Sequence, residues 1–279
     1  MEGKAPKHAG LKEKALEEFK LSWLITLYLA SYAVFELSQR IAADTGGAFD
    51  ITVAPFVDAW GFGPLRNHRV VPAAETRVLG SRVGYRKLFL EDRNCTVTKS
   101  RPDLHADLSG IAKGFGVDKA GSALESLGFE RYLVEAGGEV RVRGNNAAGE
   151  PWQIAIEEPD ARPQRPRYIV PLAGASIATS GDYRIYFERD GRRYCHEIDP
   201  ATGEPIRNGL ASVSVVAANC ANADALATAL MVLGPERGYA FALQHGLAAY
   251  FIIRSTGGGL MDRMTPAFIA LGGRRPIAS

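Results

Sequence analysis

A chain of 279 residues, 46% hydrophobic and 23% charged, can bury a full core as one large domain or two lobes sharing an interface. Its 33 basic and 31 acidic residues leave a net charge of only +2, with no run of like charge to suggest nucleic acid. Cys95, Cys195 and Cys220 lie far apart without C-x-x-C spacing, which argues against a zinc site or a disulfide framework.

The first segment, "LKEKALEEFKLSWLITLYLASYAVFELSQRIAAD", begins charged and turns apolar from about Leu21 to Phe35, too short and too polar for a membrane span. Ser31-Tyr32-Ala33 loosely fits a signal-peptide cleavage site, but Glu13, Glu17 and Glu18 are wrong for a positively charged leader. A buried amphipathic helix is the expectation. After Gly46-Gly47, "AFDITVAPFVDAWGFGP" reads as a short extended segment ended by Pro55 and the Gly61/Gly63 corner. Pro72 opens a short helix, and "KLFLEDRNCTVTK" is a hairpin turning at Asp92–Asn94.

"HADLSG" is extended, and "IAKGFGVDKAGSALESLG" predicts a helix closed by Gly128. Two strands flank Gly137-Gly138, and "PWQIAIEEP" gives a third. A proline- and arginine-rich loop over 160–168 precedes antiparallel strands, with a hairpin turn at Asp190-Gly191. "ASVSVVAAN" is a buried strand and "NADALATALMVLG" a helix for which Asn222 is a plausible cap. The end reads as strand, glycine turn, strand. The fold class is α+β, with mainly antiparallel sheets and flanking helices.

Four places could carry chemistry. Lys113 lies at a helix start after a glycine, where free N–H groups, the helix dipole and a mobile ammonium suit phosphate; it could equally decorate the helix. Asp224 and Thr228, four apart on a helix, offer two oxygens to a hard cation such as Mg2+, or simply serve the helix end and the core. His196 falls beside a loop in sequence company with Ser180, Asp182 and Asp199, and is a candidate general base or a structural histidine. The glycines of "EAGGEV" permit close backbone approach, while Trp60 and Phe62 of "DAWGFG" could stack on a planar ring or fill a core. G-x-S-x-G and the Walker spacing are absent.

Taken in order, "GGAFDITVAPFVDAWGFGP", "DLSGIAKGFGVDKA", "EAGGEVRVRG", "ATSGDYRIYF", "HEIDPATGEP" and "ADALATALMVLG" resemble the ApbE family of FAD:protein FMN transferases. The resemblance runs from about Ile41 to the C-terminus. It implies a T-fold-related domain over 41–279 behind an atypical segment over 1–40, which lacks the family's usual opening strand and Ser-Glu-x-Ser segment. It also implies cleavage of FAD with Mg2+, attachment of FMN through a phosphoester to a threonine or serine of a target flavoprotein, and release of AMP. An FAD pyrophosphatase and a non-catalytic flavin binder are the alternatives.

By the same resemblance, Asp107 and Lys113 match FAD-binding positions and Ile198 a flavin contact. The Gly110 carbonyl, Asp224 and Thr228 match Mg2+ ligands, and His196 the base that deprotonates the acceptor. Trp60, Gly61 and Phe62 would line the flavin or adenine pocket. Family members work in the periplasm or cell envelope, often on respiratory-complex subunits. No clear signal peptide stands in residues 1–40, which leaves a cytoplasmic location open.

Overall fold

Residues 31–276 are described by the computed structural model; the predicted helix before residue 31 lies outside that span. Helix α1 occupies 31–44 and buries Val34, Ser38, Ile41 and Ala42 along one face, so Ser31-Tyr32-Ala33 is helical. Val34 and Ile41 join Phe49, Ile51, Leu104, Ile111 and the alanines Ala221, Ala225 and Ala229 in one cluster. The expected boundary at residue 40 thus falls inside a helix packed on the rest of the molecule.

The segment expected to be extended is instead helical. A 3-10 turn, Ile51–Val53, runs into α2 (Ala54–Trp60), with Pro55 in the first turn. Asp50 Oδ1 accepts from the Thr52 N–H at 2.8 Å and caps the turn, and proline costs nothing where no intrahelical N–H is needed. Then come α3 (Ala73–Gly80), the hairpin β1 (Leu88–Glu91) with β2 (Thr96–Lys99), and α4 (Ala112–Ser126).

The remaining elements are β3 (Tyr132–Ala136), β4 (Glu139–Arg143), β5 (Trp152–Glu157), β6 (Pro166–Leu172), β7 (Ser176–Gly181), β8 (Tyr186–Arg189), β9 (Arg192–Cys195), β10 (Ile198–Asp199), β11 (Glu204–Pro205), β12 (Leu210–Ala217), α5 (Cys220–Gln244), β13 (Ala248–Arg254), β14 (Leu260–Met264) and α6 (Pro266–Ile269). Six strands form an antiparallel sheet in the order β14-β13-β12-β7-β4-β3. Its two faces follow the period of two along the strands. Val213, Val215, Ala249 and Phe251 pack against Ala227, Leu230 and Met231 of α5. Tyr250 and Ile252 turn the other way, onto Ile154, Ile156 and Val170 of the β5-β6 hairpin. The chain is α+β.

Asn219, rather than Asn222, caps α5: its side chain accepts from the Asn222 N–H at 3.0 Å, which starts the helix at Cys220. Helix α5 kinks at Gly234-Pro235 and continues to Gln244. Among the described residues no helix is long and apolar enough to cross a membrane.

The corner where α4 meets α5 needs a residue without a side chain. A Cβ on Gly114 would lie 2.4 Å from the Cys220 carbonyl oxygen and 2.9 Å from Ala221 Cα, both fixed backbone. Asp118 then ties the helices together, accepting from the Cys220 and Ala221 N–H groups at 2.9 Å each while Arg141 holds it at 2.9 Å. Gly114→Ala is therefore expected to destabilise the protein by roughly 1–3 kcal/mol, through overpacking. Gly116→Ala, with open space around it, should gain about 0.5–1 kcal/mol of helix propensity. Urea unfolding of both variants checks this; equal shifts would remove the close approach as the reason for Gly114.

Candidate active site

One cavity of about 420 Å³ opens between the start of α4, the end of β7, the N-terminal third of α5 and the bend between β9 and β10. Asp107, Gly110, Lys113, His196, Ile198, Asp224, Thr228 and Phe62 all line it. Residues drawn from four separate stretches of sequence thus face one space.

Asp224 and Thr228 meet there because they lie one turn apart on α5. Asp224 is 2% exposed and Oδ2 accepts from the Gly114 N–H at 2.9 Å, so it occupies the positive end of α4. The first turn of α4 is accordingly not free for phosphate in the way its sequence suggests: Gly114 N–H serves Asp224, and Ala112 N–H donates to the Leu108 carbonyl at 2.8 Å. Thr228 Oγ1 lies 3.1 Å from Ser180 Oγ on β7, and a Cβ on Gly110 would come 3.2 Å from the same Thr228 oxygen. The 108–111 turn is thereby pressed against the Asp224 face of α5.

Lys113 extends from the first turn of α4, its Nζ 2.5 Å from Glu139 Oε1 and 3.6 Å from Asp224 Oδ1. Burial opposes its charge, yet the two carboxylates outweigh that and hold the ammonium above the usual lysine range. Burial pushes Glu139 and Asp224 up from the usual carboxylate range, with Lys113 pulling both back. Asp107 Oδ1 accepts from the Ser109 N–H at 2.8 Å, forming the turn that leads into α4.

His196 stands in the bend between β9 and β10, its N–H donating to the Ile185 carbonyl at 3.1 Å. The ring edge meets Phe62, centroids 6.4 Å apart, and Nδ1 is buried with no hydrogen-bond partner among the described residues. The acids near it in sequence do not reach it. Asp182 is held by Arg254 at 2.6 Å, Asp199 accepts from the Ala201 N–H at 2.9 Å, and Ser180 faces Thr228. Its acidic neighbour is Glu197, whose Oε1 lies 3.8 Å from Nε2. Glu197 is 7% exposed, and burial pushes its carboxyl up.

Trp60 and Gly61 do not line the cavity. Trp60 is 2% exposed, stacks on Tyr194 at 5.5 Å and donates Nε1–H to the Gly203 carbonyl at 2.8 Å. Gly61 ends α2 with φ +83, where a Cβ would strike the Asn67 carbonyl oxygen at 2.2 Å. Both build the wall that carries Phe62.

Four cavity-lining acids carried no assignment from the sequence, Asp50, Glu139, Glu157 and Glu197. Glu139 was signalled by the Gly-Gly pair before it, which turns the chain so that the first residue of β4 points inward. Glu197 carries no such signal. Among the described residues no group of three or more His, Cys, Asp or Glu could hold a metal.

Residues 16–251 match the model of the ApbE family. The FAD:protein FMN transferase of Haemophilus influenzae is 44% identical over 235 residues, 82% of this chain and 67% of that protein. The one from Vibrio cholerae is 46% identical over 222 residues, 78% and 65% of the two chains. The chain thus spans about two thirds of the length of these curated relatives. Among solved structures, the flavin transferase ApbE from Vibrio cholerae is similar with a TM-score of 0.78 at 42% identity, covering 86% of this chain and 76% of that one. The ApbE protein from Thermotoga maritima also gives 0.78, at 32% identity over 86% and 77%. With a family match across most of its length and relatives this similar, the chain belongs to the ApbE family.

Proposed function

We propose that this protein transfers the FMN moiety of FAD to a threonine or serine hydroxyl of a target flavoprotein and releases AMP. The observation that carries the reading is the convergence of Lys113, His196, Asp224 and Thr228 on one cavity, in a chain whose relatives are named for that transfer. The Asp224 carboxylate, the Thr228 hydroxyl and the Gly110 carbonyl are hard oxygen donors of the kind Mg2+ takes, and the close packing of Gly110 on Thr228 fits such a set. Mg2+ held by them would neutralise charge on the pyrophosphate.

The chain's own residues supply the rest. Lys113 offers its ammonium to the phosphate oxygens as a mobile point charge. Asp107 and Ile198 line the space for the nucleotide and the flavin. With Nδ1 of His196 buried, Nε2 is the nitrogen able to take the proton of an acceptor hydroxyl. The hydroxyl oxygen bonds to the FMN phosphorus, the bond from that phosphorus to the bridging oxygen breaks, and AMP leaves with that oxygen.

The test is AMP release from FAD with Mg2+, with and without a threonine-bearing target domain, read beside flavin fluorescence of the target on a denaturing gel. AMP together with a fluorescent band, both lost on chelation, is the expected result. AMP without labelling would replace the transferase by an FAD pyrophosphatase, and bound FAD with neither by a flavin binder.

A further inference from the structure

Lys113 stands between two acids at unequal distance, 2.5 Å from Glu139 and 3.6 Å from Asp224. Its side chain is half-exposed and flexible, so the acids rather than packing decide where the ammonium rests. Glu139 is 1% exposed, directly after the Gly137-Gly138 turn, and its Oε2 has no hydrogen-bond partner among the described residues. A carboxylate buried in that way costs stability unless its charge is used. An ammonium in full contact with Asp224 would cancel the charge a divalent cation needs there. One ammonium shared by two carboxylates leaves a net negative charge instead.

We propose that Glu139 is a positioning residue that holds the Lys113 ammonium off Asp224, keeping Asp224 open to a divalent cation while Lys113 stays within reach of a pyrophosphate. The inference rests on the transferase reading, in which Asp224 holds that cation. Glu139 acts through Lys113: without it, Lys113 closes onto Asp224 and competes with the metal.

The test is Mg2+ affinity of the full chain by titration calorimetry, without FAD and without turnover. Wild type, Glu139→Gln, Lys113→Met and the double variant form a cycle. Glu139→Gln is expected to weaken Mg2+ binding by roughly tenfold, in the range found when a metal ligand loses its supporting group. In the Lys113→Met background the same substitution should change affinity little. Glu139→Asp, which keeps the charge but falls short of Lys113, should weaken binding as Gln does; it serves in place of Gln if that variant does not fold.

Equal losses in both backgrounds would overturn the inference, because Glu139 would then act on the cation directly. No loss in the wild-type background would overturn it as well. A wild-type chain that binds no Mg2+ with or without FAD would instead overturn the functional reading, and this inference with it.

Discussion

Asp224→Asn is expected to lower Mg2+-dependent AMP release at least on the order of 100-fold, the scale on which removing one group that stabilises transition-state charge is felt. The reason is chemical rather than structural. Asparagine has the shape of aspartate, and its amide oxygen can still accept from the Gly114 N–H, now 2.9 Å from Oδ2. What disappears is the negative charge that a hard cation requires.

Stability should move the other way. Burial raises the folded-state pKa of Asp224 above its unfolded value, so the stability tied to it is full below the unfolded pKa and is lost as pH rises through the folded one. At neutral pH the buried carboxyl is therefore a burden that asparagine removes. Thermal unfolding of Asp224→Asn at pH 7 should give a Tm equal to or above wild type. A stable variant with undiminished AMP release would take Asp224 out of the mechanism, while a strongly destabilised one would make its charge facing Lys113, 3.6 Å away, the main role.

His196→Ala should slow FMN transfer to the target protein by roughly 100- to 10,000-fold, the usual contribution of a positioned general base, with little change in FAD affinity. The ring sits on the cavity wall with its edge against Phe62, and its removal opens no space inside the main clusters of the core. Glu197 loses the ring 3.8 Å from its Oε1 in this variant, so His196→Gln, which keeps a polar group near Glu197, is the companion. Both variants should bind FAD like wild type in a fluorescence titration and fail in gel labelling. Equal losses in binding and transfer would make His196 a structural histidine.

Much of the site was legible because its signals are local. Asp224 and Thr228 are one helical turn apart, and any helix through "ADALATAL" puts them on one face. Lys113 follows from a glycine that opens a helix, and the hairpins at Gly137-Gly138 and Asp190-Gly191 follow from turn chemistry. "AFDITVAPF" misled because it reads as an extended segment, whereas the Asp50 cap and the tolerance of a first turn for Pro55 decide for helix. Trp60 illustrates the limit for aromatics: a ring two residues from Phe62 lies in the core, and only packing separates the two roles.

The sequence by itself determined the order of elements, the α+β class, the ApbE resemblance and eight of the residues that face the cavity. Those properties depend on periodicity, turns and motifs, which act over a few residues. Tertiary structure alone decided the pairings: that Glu139 takes the Lys113 ammonium across 26 positions and that Gly114 N–H serves Asp224 across 110. Such contacts depend on how α4 crosses α5 and how β4 lies in the sheet. Buried charges choose among partners by distances of an ångström, and those distances exist only once the elements have packed.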